Sequence, residues 1–296
     1  MVNKIKKSNA KQPGEFIFKQ QPWGLYWKLM VLFLKSFRRN FRNIFFVFIM
    51  PIFFMVIFYF VLRDIYQNGT NMIKAGYILL APMTAGITSL ATTIAEWKNS
   101  IFLKRLDVTP VKKWQFISTL IIFYFIISIL STFWTMLWTI IVDPQPTVKY
   151  LATINWGYFI LGVILFIFVS IGIGILIGGL AKSVGMAQAL ALSIYFPSMF
   201  LSGIMIPAYV IARARNIFND IGYIFPHKYA ATIAIYGWNI NANPYIYDNP
   251  SDLTNKVSLI QAMGFSRLYI PIIVACGWSA GLFILSGLTF KWEVKN

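Results

Sequence analysis

The chain has 296 residues, 58% of them hydrophobic, 18% aromatic and only 12% charged, whereas a soluble domain carries about 25% charged residues. No single core could enclose that much apolar surface, so a soluble protein is excluded. The formal charge of +17, from 26 Lys and Arg against 9 Asp and Glu, does not read as nucleic-acid binding, because the basic residues form no base-reading module. A single cysteine, Cys276, excludes an intramolecular disulfide framework and a Cys-based metal cluster; its place in an apolar run predicts a packing role.

Residues 1–22 are a Lys-rich polar tail without the apolar stretch that a signal sequence needs, so the N-terminus is expected in the cytoplasm. Residues 23–42 predict a helix lying on the membrane. At 100° per residue, Lys28, Lys35, Arg38, Arg39 and Arg42 share an arc of about 100°, and Tyr26, Met30, Phe33, Phe37 and Phe41 lie opposite. Cations on one face and aromatic or apolar groups on the other describe an interfacial helix against anionic headgroups.

Residues 43–296 predict a six-span transmembrane domain. A bilayer core about 30 Å thick takes about 20 apolar residues to cross as a helix. Six charge-free windows qualify: Asn43 to Leu62, Ala75 to Ala95, Trp114 to Val142, Tyr150 to Ala181, Ser183 to Ala212, and Leu268 to Phe290. With the N-terminus inside, the inner segments hold 18 basic residues and the outer ones 8, so the positive charge is mostly a topology signal and the C-terminus is cytoplasmic too.

By this assignment the spans contain no acid, no Lys or Arg and no His. Coupled ion or proton transport normally needs ionisable groups at membrane depth, and an intramembrane protease needs paired acids, a metal site or a Ser with a base. His227, beside Pro226 in the outer segment, reads as a surface or capping residue. No catalytic, cofactor-binding or metal-binding residue is therefore expected. The chain also has no GxxxxGK[ST] phosphate loop. Gly174 with Gly178, and Gly277 with Gly281, read as close helix packing.

The inner loop 96–113 runs Glu96-Trp-Lys-Asn-Ser-Ile-Phe-Leu-Lys-Arg-Leu-Asp-Val-Thr-Pro110-Val-Lys-Lys113. Ile101, Phe102, Leu103 and Leu106 form a short apolar face beside Lys104, Arg105 and Asp107, while Thr109 and Pro110 suit the N-cap and first turn of the third span. Either a helix that docks into a cytoplasmic partner or a solvated basic loop fits these residue types. In the fifth window, Phe196-Pro-Ser-Met-Phe-Leu-Ser-Gly-Ile-Met-Ile-Pro207 places Ser198, Ser202 and Gly203 between two prolines, and Phe225-Pro-His-Lys-Tyr229 follows.

Glu96, Leu103, Leu106, Val108-Thr109-Pro110 and Lys112, followed by the Phe-Leu-Ser-Gly stretch at Phe200 and the Phe225-Pro226 turn, resemble the membrane-spanning subunits of type-2 ATP-binding cassette (ABC) exporters. Trp97, Lys98, Asn99 and Ser100 depart from the Arg-Glu repeats and Gly-Thr pair often found there. With the interfacial helix and six spans, the resemblance covers almost the whole chain. It implies an all-α polytopic membrane protein with re-entrant helices in the outer segment 213–267. It also implies a transport subunit that hydrolyses no ATP itself, ATP and Mg being bound by a separate cytoplasmic ATPase subunit, and a second permease subunit, the same or homologous.

The expected function is ATP-driven export of an amphiphilic or drug-like compound, a lipid or a glycan across a bacterial plasma membrane, in contact with membrane lipids and with no nucleic acid; the alternative is a passive pore or scaffold. ATPase coupling is expected at Glu96, Phe102, Leu103, Lys104, Arg105 and Leu106, with Lys104 and Arg105 pairing acids at the rim. The resemblance places the fifth span on the dimer axis, where Phe196, Met199, Phe200, Ser202 and Met205 are the candidate gate or substrate path; helix packing is the alternative for any one of them. Pro197 and Pro207 would let the segment between them bend as a unit.

Overall fold

The computed structural model describes residues 22–63, 70–109, 111–208, 210–211, 216–242, 244–249 and 252–289. Among the described residues, six helices are long and apolar enough to cross a bilayer: Phe41–Arg63, Ile73–Asn99, Lys113–Val142, Trp156–Leu180, Val184–Leu201 and Tyr269–Thr289, spans one to six. The protein is an all-α polytopic membrane protein, with one small antiparallel hairpin, β1 (Tyr245–Asn249) and β2 (Asp252–Ser258), outside the bundle's regular pattern. Span two is buried along its whole apolar window and span four along 72% of it, whereas spans one, five and six bury less than a third. The second and fourth spans are thus the axis, and the others form the rim.

Small residues bring that axis together. A Cβ at Gly174 would collide with the Gly86 carbonyl, and one at Gly86 would meet Ser170, so the two backbones touch where Leu or Ile would hold them apart. Gly178 packs on Ile94 in the same way. Gly277 and Gly281 on span six, by contrast, face open space, and the packing expected there is absent among the described residues. Cys276 beside them is exposed, not packed, because span six turns that face outward.

The N-terminal helix, Pro22–Arg39, buries Leu29, Phe33 and Phe37 at a spacing of four and leaves Lys28, Lys35, Arg38 and Arg39 exposed. It breaks at Asn40, whose backbone is extended, so Phe41 and Arg42 open span one instead of closing this helix. Spans one and two each carry a π-helical stretch, Phe45–Ile49 and Thr84–Ser89. The second follows Pro82, and the hydroxyls of Thr84, Thr88 and Thr92 donate to carbonyls three or four residues earlier. Span three lays a stripe of Ser131, Thr132, Thr135 and Thr139 inward, each hydroxyl bonded to its own helix backbone. The hydroxyls of these Thr and Ser residues are thereby carried into an apolar medium with their donors satisfied.

Ionisable residues enter the spans at their ends, against expectation. Lys74 lies in the helix Thr70–Met83, fully buried, and donates to Asp143 at 2.6 Å and to Thr147 at 2.7 Å. Glu96 and Lys98 lie in the helix Leu90–Asn99, and Arg42 in the first turn of span one. Each is matched by a partner on another element, which is what lets charge sit in a helix end that a count of charge-free residues leaves out.

Between spans five and six stand the helices Asn216–Gly222 and Pro226–Asn239. The longer one descends antiparallel to span four: a Cβ at Gly237 would strike Phe159, one at Gly162 would strike Ala234, and His227 meets Ser170. Ser170 is 14 residues from Trp156, about 21 Å along a helix axis, so this helix reaches deep into the bundle.

Candidate coupling surface and permeation path

The inner loop does form a helix, Ile101–Asp107, directly below span two. Ser100 caps its start by accepting the Phe102 N–H at 3.2 Å. Thr109 closes its end, its hydroxyl and its N–H both bonding to the Leu106 carbonyl, so it is not the N-cap of span three, which begins at Lys113. Pro110 lies outside the described residues. A single helix of 7 residues is too short to stand alone. Trp97 seats it, with ring centroids 5.0 Å from Phe102, 5.1 Å from Phe33 and 5.8 Å from Phe116, and its indole N–H donates to Ser36.

Leu103 and Leu106 are 2% and 8% exposed and point into the chain's own core, with Phe102 half-buried on Trp97. These three therefore hold the helix on the bundle and are not an open docking face. The open apolar groups are Ile101, 64% exposed, and Val108, 87% exposed. The side chains of Lys104, Arg105 and Asp107 lie outside the described residues. The i, i+3 spacing of Leu103 and Leu106 was the signal for a buried stripe; read without Trp97, it looked like an outward face.

Glu96 also turns inward. Its carboxylate accepts from Arg42 at 2.5 Å and from Asn40 at 2.8 Å, tying the junction of the N-terminal helix and span one to the base of span two. Two residues on, the Lys98 ammonium donates to the carbonyls of Gly178, Gly179 and Ala181 at 3.3, 2.6 and 2.9 Å. A cation on the last carbonyls of span four satisfies groups that a helix leaves unbonded and sits at the negative end of its dipole. Spans one, two and four are thus joined by polar contacts at the base of span two.

The candidate gate residues divide. Span five ends at Leu201, and Gly203, at φ +80°, turns the chain back so that Ile204 rests on Gly76 of span two. Pro197 is inside the helix and Pro207 is beyond it, so no helical segment is bracketed by the two. Met199, Ser202 and Met205 are buried in the chain's own interior. Phe196 and Phe200 face span one, where they meet Phe54 and Phe58 edge-on at 6.4 and 6.0 Å. Phe54 and Phe58 were missed by sequence reasoning; their i, i+4 spacing matches that of Phe196 and Phe200. The buried hydroxyls of Tyr195 and Ser198 in span five, and of Ser202 just past its end, have no hydrogen-bond partner among the described residues.

His227 is no surface residue. It is fully buried, 3.2 Å from the Ser170 hydroxyl and with its ring 5.0 Å from that of Phe166. Lys228 beside it is also buried and lies 3.6 Å above the Tyr223 ring. Nearer the helix's far end, Trp238 sits between Tyr150 and Phe159, and Tyr150 donates to Asn239 at 2.7 Å. The helix Pro226–Asn239 is thus packed into the bundle.

Four spans stand around a buried pair, with the N-terminal helix packed along span three and a short helix seated at the base of span two. A family model described as ABC-2 family transporter protein matches residues 65–290, from just after span one to the end of span six, and the chain belongs to that family. It is an ABC-2 type permease subunit, of a family that generally pairs with an ATPase subunit. Among curated proteins none matches this sequence.

Proposed function

We propose that the chain is the permease half of an ATP-driven exporter in a bacterial plasma membrane, with the N- and C-termini cytoplasmic. An ATPase subunit, holding ATP and Mg, binds below the helix Ile101–Asp107, and a second permease subunit completes the path. The observation that carries this reading is the seating of that helix. Leu103, Leu106 and Phe102 fix it to the base of the fully buried second span, while Ile101 and Val108 stay open to a partner. A push on it reaches span two directly, and through Glu96 and Lys98 it reaches spans one and four.

The phenylalanines Phe54, Phe58, Phe196 and Phe200 border the little-buried face of spans one and five, and they form the apolar wall along which an amphiphilic or drug-like compound, a lipid or a glycan moves outward. The unpartnered hydroxyls of Tyr195, Ser198 and Ser202 are the groups that find new partners when span five shifts.

The test is copurification from native membranes, followed by ATP-dependent uptake into inverted vesicles. Ile101→Arg or Val108→Arg should release the ATPase subunit, because a charge set into an apolar contact is not compensated there. Phe200→Ala should change transport while the assembled complex and its ATP hydrolysis remain. Copurification of no ATPase, with ATP-independent flux, would establish the passive pore instead.

A further inference from the structure

Where span five ends, the chain turns through Ser202 and Gly203 and presses onto span two so closely that a Cβ at Gly76 would strike the Ile204 carbonyl. The turn, span two and the helix Pro226–Asn239 do not close completely on one another. They leave a cavity of about 30 Å3, lined by Ile73 and Gly76 of span two, Ser202 and Pro207 of the turn, and Thr232 and Asn239 of the helix. Leu259 and Met263, which follow the hairpin, complete its wall.

The Ser202 side chain is 2% exposed, and its hydroxyl has no partner among the described residues. Thr88 and Thr135 return theirs to the carbonyl four residues earlier; Ser202, at the C-cap where the backbone leaves the helix, does not. Thr232 gives its one proton to the Lys228 carbonyl at 2.8 Å and keeps its oxygen lone pairs. The lining therefore holds a buried donor in want of an acceptor and an oxygen that can still accept.

Size and charge select the occupant. A water takes up about 30 Å3 in the liquid and needs a polar site with at least two partners, so the cavity has room for one. It is about a tenth of the roughly 300 Å3 at which pockets for organic ligands begin. Among the lining residues there is no Asp, Glu, Lys, Arg or His, so no fixed charge balances an ion.

We propose that this cavity binds one ordered water, which accepts from the Ser202 hydroxyl and donates to Thr232 Oγ. The water joins the turn after span five to the helix Pro226–Asn239. Two elements bridged in this way can separate and meet again without stranding a buried hydroxyl, because the water stays with one of them. The site rests on the cavity and its two hydroxyls, and it stands whichever way the subunit transports.

The sign of one stability change separates a bridged hydroxyl from a bare one. Removing a buried donor that lacks a partner relieves a cost, whereas removing one bonded to water loses that bond. Ser202→Ala in the full chain should therefore lower the unfolding temperature in detergent. Thr232→Val also loses the Lys228 bond, but combined with Ser202→Ala it should lower that temperature by clearly less than the sum of the two, since both break one bridge. Synchrotron radiolysis turns bound water into hydroxyl radical beside its neighbours. It should oxidise Met263, 7% exposed, several-fold faster than Met199 and Met205, both 0% exposed, and Ser202→Val should remove that excess by filling the cavity.

A raised unfolding temperature for Ser202→Ala, or additive effects of the two changes, overturns the proposal. So does Met263 oxidation that Ser202→Val leaves unchanged, because the radicals then come from bulk solvent. Stabilisation by sodium chloride over choline chloride at equal ionic strength, lost in Ser202→Ala, would make the occupant a sodium ion instead. If Ser202→Val gives no monodisperse protein, the Ser202→Ala and Thr232→Val cycle decides the matter.

Discussion

Lys74 and Asp143 are unequal partners. The Lys74 side chain is 1% exposed and the Asp143 carboxylate 16%, so deleting the acid strands a cation in the interior, while deleting the lysine leaves an acid that water can still reach. Removing one member of a buried pair costs about 3–5 kcal/mol because the other is left uncompensated, whereas replacing both by apolar groups can be neutral. Asp143→Asn should therefore lower the unfolding temperature in detergent well below that of Lys74→Met, and Lys74→Met with Asp143→Leu should recover most of the loss. Equal effects of the two single changes would mean that the pair is as solvated as a surface bridge. Span two's charge-free window begins only at Ala75, so Lys74 looked like loop; its place four residues inside the helix Thr70–Met83 is satisfied by Asp143, which span three brings beside it.

Helix packing decides the element scale. Spans two and four touch through Gly86 and Gly174, and no side chain can be added there without backbone moving. Gly281 on span six faces open space although it shares the same four-residue glycine spacing. Gly174→Val should abolish monodisperse protein or lower its unfolding temperature sharply, while Gly281→Val should leave the subunit's own stability unchanged, as read by size exclusion and thermal unfolding. A like effect of both would place span six inside the packed axis. The two motifs are indistinguishable in the sequence, since glycine spacing states that a backbone approach is possible and not which partner arrives. The same holds for Leu103 and Leu106, an apolar stripe that sequence reasoning turned outward and the Trp97 cluster turns inward. The glycines that dock the helix Pro226–Asn239, Gly162 and Gly237, carry no spacing signal at all, being 75 residues apart.

Across the whole molecule, the proposed orientation rests on the excess of Lys and Arg at the ends of spans that would face the cytoplasm. The exposed Cys276 must first be changed to Ser, because it would itself react. In that background, Asp252→Cys should label with an impermeant thiol reagent added to intact cells, and Lys104→Cys should label only after the membrane is opened. The reverse pattern would invert the topology and remove the ATPase from the helix Ile101–Asp107.

The number of spans and their approximate places were legible in the chain itself, because a bilayer imposes the same demand on every crossing segment: about 20 residues without charge. That demand is local, and so is the arc of cations from Lys28 to Arg39 that marks the amphipathic helix. The short motifs from Glu96 to Lys112 and around Phe200 likewise pointed to the family. Which residues face each other was not local. The burial of His227 against Ser170, the pairing of Phe54 and Phe58 with Phe200 and Phe196, the capping of span four by Lys98 and the inward turn of Leu103 each join positions that are distant in the chain or depend on them. Lipid chains and apolar side chains are equally good neighbours for a hydrophobic face, so hydropathy cannot tell lipid-facing from protein-facing surface. Only the packing of glycines, hydroxyls and paired charges in the tertiary structure made that choice.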